Sequence, residues 1–60
     1  MHTISDKVLV ETFTALAAQS GNPTHISNAQ EHQWALEDGV AYDRDATVCA
    51  IRNLMVEVQS

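Results

Sequence analysis

The sequence predicts an all-α fold of three short helices, and three observations carry that prediction. Val48, Ile51, Leu54, Met55 and Val58 recur at steps of three and four, the period that aligns one face of an α-helix. A second periodic set, Leu9, Phe13, Leu16 and Ala17, ends just before Gly21 and Pro23, residues that close a helix and prevent its continuation. Eight of the 27 apolar residues are alanine, which suits a thin helical core within one domain, 1–60.

The first helix is expected over about residues 4–20. Thr3 and Asp6 have the spacing of an N-terminal capping box, with a carboxylate where Glu or Gln is usual. Leu9, Phe13, Leu16 and Ala17 form its inner face with Val10 beside them, while Lys7, Glu11 and Thr14 face outward. Gly21-Asn22-Pro23-Thr24 is turn chemistry, and Asn22, preceding proline, is pushed out of the α region.

Ser27 offers the next cap, with Gln30 at the capping-box position and Ile26 placed for a hydrophobic staple. The helix that follows, about 28–38, carries only Ala29, Trp34, Ala35 and Leu36 as an apolar stripe, and Gly39 ends it. Residues 40–44 read as an extended connector. Val40, Tyr42, Thr47 and Val48 also suit strands, so a short hairpin around 40–49 in an α+β fold is the alternative. The connector is preferred because Asp43 makes a good cap and the period from Val48 onward is 3.6. The third helix is then expected over 45–59, with Arg52, Asn53, Glu57 and Gln59 opposite its apolar stripe.

A chain of this length buries only about 60% of the surface its unfolded form exposes, so it needs reinforcement. Cys49 is the single cysteine, which rules out an internal disulfide, and a homodimer is therefore expected. A small-molecule site takes about 300 Å³ or more of concave surface, which so thin a core is not expected to spare. Eight acids against three bases give a net charge of −5. Lys7, Arg44 and Arg52 are scattered, which disfavours nucleic acid and anionic membrane and permits a partner protein with a basic surface. No apolar run approaches the length of a membrane span, and the first six residues lack the features of a signal peptide. A complete, cytoplasmic chain is the expectation.

Residues able to carry chemistry are few. His2, His25, His32 and Cys49 lack the short spacings of metal ligands, so no metal or cofactor is expected and the histidines read as solvated. Cys49, at the edge of the third stripe, reads as a buried and inert side chain. Glu37, Asp38, Asp43 and Asp45 cluster around Arg44, but Val48 stands where a calcium loop starting at Asp43 needs glycine. These acids read as a contact patch for a basic partner, with Trp34 and Tyr42 as aromatic anchors on polar segments. The function this implies is a non-enzymatic module that binds another protein and modulates it, as a regulator, inhibitor or adaptor of phage or plasmid accessory type. The alternative is a helix-turn-helix DNA-binding regulator, for which helices two and three offer few basic side chains.

Overall fold

Two glycines held in the left-handed region, Gly21 at φ 69° and Gly39 at φ 71°, divide the chain into three helices. In the computed structural model, which describes residues 4–59, these are α1 (Asp6–Ser20), α2 (Pro23–Asp38) and α3 (Arg44–Gln59). No strand forms among the described residues, so the connector holds and the hairpin alternative does not.

Ser5 caps α1. Its Oγ accepts from the Val8 N–H at 3.3 Å, and Asp6 follows in the first turn at the positive end of the helix dipole. The expected cap, Thr3, lies outside the described residues. At the other end the Gly21 N–H donates to the Ala18 carbonyl at 3.2 Å.

The largest departure from the sequence reading is the start of α2, five residues earlier than expected. Asn22 is its N-cap, with Oδ1 accepting from the Thr24 N–H at 2.9 Å, and Pro23 takes the first helical position. Proline is at home there because its missing N–H would have lacked an intrahelical partner anyway. The same Asn-Pro pair thus opens a helix where a turn was expected. Ser27, expected as the cap, and Ile26, expected as a staple, both lie inside α2. Asp43 does cap α3, its Oδ1 accepting from the Ala46 N–H at 3.0 Å.

Two contacts fix the directions of the helices. Arg44 Nη1 donates to Asp6 Oδ1 at 2.7 Å, joining the starts of α3 and α1. His25 Nε2 meets Glu57 Oε2 at 2.9 Å, joining the start of α2 to the end of α3. The topology is therefore up-down-up. Both α2 and α3 pack chiefly on α1, and the result is flattened, 32 × 29 × 14 Å.

Leu9, Val10, Phe13 and Ala17 bring α1 into the core, joined by Ala29 from α2 and by Thr47 and Leu54 from α3. Leu16, Ala50 and Ile51 pack against this cluster from its margin. The buried arc of α3 is rotated from the one its apolar period suggests. Thr47 is fully buried, Val48 only half, and Met55 is 46% exposed. A threonine can replace valine at the centre because its hydroxyl is satisfied: it lies 3.1 Å from the Asp43 carbonyl and 2.6 Å from His32 Nδ1. Cys49 turns outward with this rotation and is an exposed thiol, correcting the expectation of a buried one.

Candidate functional site

The up-down-up topology gathers charge that the sequence keeps apart. The starts of α1 and α3 and the end of α2 lie at one end of the molecule. Asp6, Glu37, Asp38, Asp43 and Asp45 are therefore neighbours in a region whose cations are Lys7 and Arg44. Arg44 is already engaged by Asp6. This pair is partly exposed, so it contributes about 0–1 kcal/mol and orients the two helix starts more than it stabilises them.

Glu37 and Asp38 are unusual in position. They occupy the last turn of α2, which carries no basic residue. The helix dipole is negative there, so acids oppose it, each by about 0.3–1 kcal/mol. Glu37 recovers part of this by accepting from Gln33 Nε2 at 3.3 Å one turn back, whereas no hydrogen bond within the helix offsets Asp38 among the described residues.

Trp34 stands on the same helix, five residues past Ala29 and so about 140° round from the one fully buried position of α2. It is 54% exposed. Glu31, Glu37 and Asp38, at three and four residues' distance, share its face and are exposed too. An indole ringed by carboxylates offers a cation both a π face and formal negative charge.

Other expected contact residues have local structural duties. Tyr42 is half-buried, its ring 6.2 Å edge-on from that of His32, and its hydroxyl is enclosed without a hydrogen-bond partner among the described residues. Asp43 spends one carboxylate oxygen on its cap and its carbonyl on Thr47. Asp45 is exposed in the first turn of α3.

The described histidines are not simply solvated, as the sequence suggested. Thr47 Oγ1 lies between His32 Nδ1 at 2.6 Å and the Asp43 carbonyl at 3.1 Å, so its single proton serves one of them and the His32 tautomer sets which. The His32 ring also meets Phe13 edge-on at 5.2 Å. His25 faces Glu57, and His2 lies outside the described residues. Among the described residues, no three His, Cys, Asp or Glu side chains are grouped to hold a metal ion. No helix among them is long and apolar enough to cross a membrane.

One feature was missed by the sequence reading. A groove of about 610 Å³ runs between α1 and α2, lined by Val10, Ala15, Ala18 and Leu36 with Lys7, Glu11, Gln33 and Glu37 at its polar positions. This corrects the expectation that so thin a core spares no concave volume of about 300 Å³ or more, because a cleft between two helices needs no thick core. Its sequence signal was the run of small residues at Thr14, Ala15 and Ala18, which leaves the flank of α1 low. Comparison with known proteins identifies no relative: no protein-family model, curated protein or solved structure matches this chain.

Proposed function

We propose that this chain is a non-enzymatic interaction module that grips a basic surface on another protein and modulates that protein. The observation that carries the reading is Trp34, half in solvent on a face with Glu31, Glu37 and Asp38. Glu37 and Asp38 stand at the negative end of α2, and only Glu37 has an offsetting contact within the helix, from Gln33, so binding is the better account of Asp38 in particular. Aromatic anchors surrounded by polar groups are the usual centres of protein interfaces. Asp45 and Asp43, both exposed at the start of α3, extend the negative surface.

Self-association belongs to the same proposal. Ile4 and Val8 at the start of α1, and Met55 and Val56 near the end of α3, are large apolar side chains left exposed in two separate places, either of which a second copy would cover. A reducing, cytoplasmic setting suits the exposed Cys49 thiol. The DNA-reading alternative draws no support, since the end of the molecule that holds Lys7 and Arg44 holds five acids as well.

The test is a pull-down from the source cells with mass spectrometry, comparing wild type, Trp34→Ala and the Asp43→Asn/Asp45→Asn pair. Trp34→Ala should lose the partner while its circular dichroism stays unchanged. The asparagine pair should keep the α3 cap and weaken capture only partly. Full recovery of the same partner by Trp34→Ala would overturn the proposal. Sedimentation at micromolar concentration should give about twice the 6.6 kDa chain mass.

A further inference from the structure

The geometry points to the α1–α2 groove as the seat for one amphipathic helix of the partner, with a narrow apolar stripe flanked by Lys or Arg. This rests on the interaction reading above and adds the shape and chemistry of what is gripped.

Length and floor come first. From Lys7 to Ala18 the lining of α1 spans twelve residues, a rise of about 16 Å or three turns. That is the span over which a docked helix presents anchors at i, i+3 or i+4, and i+7. Val10 is buried and Leu36 half-buried, so the floor is apolar, and the Thr14 hydroxyl is already spent on the Val10 carbonyl at 2.8 Å. Ala15 and Ala18 are exposed and short, so another helix can approach to the usual 8–10 Å between axes.

Charge then selects the occupant. Glu11 and Glu37 lie along the groove against the single cation Lys7, and Glu31 and Asp38 continue the negative face round α2 past Trp34. A second copy seated here would set Glu11 and Glu37 against like charges, in a chain whose net charge is −5. A basic helix meets opposite charge on the same rim. A small polar ligand would find no buried polar group free on the floor.

The experiment uses the full chain and a fluorescein-labelled designed helix of about 18 residues, with leucines on one stripe and lysines flanking it. A twin peptide carries glutamates in place of the lysines. Anisotropy should show the lysine peptide binding, the glutamate peptide not binding, and added salt weakening the complex. Ala18→Phe, which fills the groove from an exposed position, should weaken binding roughly tenfold or more. Glu11→Lys should weaken the lysine peptide and favour its twin, and it serves even if Ala18→Phe disturbs the fold.

Failure of wild type to bind the lysine peptide overturns the groove assignment, leaving the pull-down to decide the broader reading. Binding that survives Ala18→Phe and Glu11→Lys but is lost on Trp34→Ala also overturns it, and leaves the acidic tryptophan face standing. A wild-type dimer that becomes a monomer on Ala18→Phe would assign the groove to a second copy and overturn the proposal.

Discussion

α1 and α2 differ by one residue in length and hardly at all in regularity, yet they are held in opposite ways. α1 is fixed by oil: Leu9, Val10, Phe13 and Ala17 are all buried. α2 buries Ala29 alone and is fixed by polar chemistry. Asn22 and Gly39 close its ends, and His32 ties its middle to Thr47 of α3. The His25–Glu57 contact, the edge-on meeting of His32 with Phe13 and the small Ala29 complete its attachment. A helix held by so few and such small contacts has most of its surface to spare. That is the physical reason a large aromatic and three carboxylates can face solvent on α2, while α1 must turn its large side chains inward.

The strongest way to break this contrast is Phe13→Ala. The side chain is 2% exposed and stands at the centre of the core cluster, so the loss should be about 3–5 kcal/mol. For a chain of this size that is a large part of the total, about 3–9 kcal/mol. Urea titration followed by circular dichroism should find the variant largely unfolded in buffer. A loss below about 1 kcal/mol would mean that α1 is not the organising helix.

Thr47→Val probes the polar attachment of α2. The shape is nearly kept, but His32 Nδ1 loses its hydrogen-bond partner, and the cost should be about 1–3 kcal/mol. Hydrogen exchange should rise in α2 before it rises in α1. Equal exchange in the two helices would remove the distinction drawn between them.

Gly39→Ala isolates the C-terminal closure of α2. An added Cβ would meet nothing within 4 Å, so the penalty comes from the left-handed backbone alone, about 1–2 kcal/mol. Gly21→Ala, equally open at φ 69°, should cost the same, which makes the pair an internal control.

Asp38→Asn should stabilise the chain slightly, by about 0.3–1 kcal/mol, because it removes a negative charge from the negative end of α2. Trp34→Ala should change stability least, within about 0.5 kcal/mol, while abolishing partner capture. A much larger thermal destabilisation by Trp34→Ala would show the indole to be part of the fold, and the docking face would need another anchor.

Much of this architecture could be read from local chemistry. Val10, Phe13 and Ala17 repeat at helical spacing, and Gly21 and Gly39 end their helices where the apolar period fails. The start of α2 was misplaced because Asn22-Pro23 serves a turn and a helix N-terminus equally well, and nothing nearby in sequence decides between them. Cys49 was misplaced because it depends on Thr47, whose burial requires a hydroxyl acceptor and donor fifteen residues apart in the case of His32. Of the proposed contact face, Trp34, Glu37 and Asp38 were evident as an aromatic among acids. The groove beside them was not, because a cleft is a property of two helices and of neither alone.

By itself the sequence determined three helices, their glycine stops and the excess of negative charge, since period, capping and composition act over a few residues. Only the tertiary structure decided which arc of α3 is buried, which acids share one end, and that α1 and α2 leave a channel between them. Those outcomes depend on the direction and rotation of whole helices, which are set by packing and by satisfying Thr47 in the core.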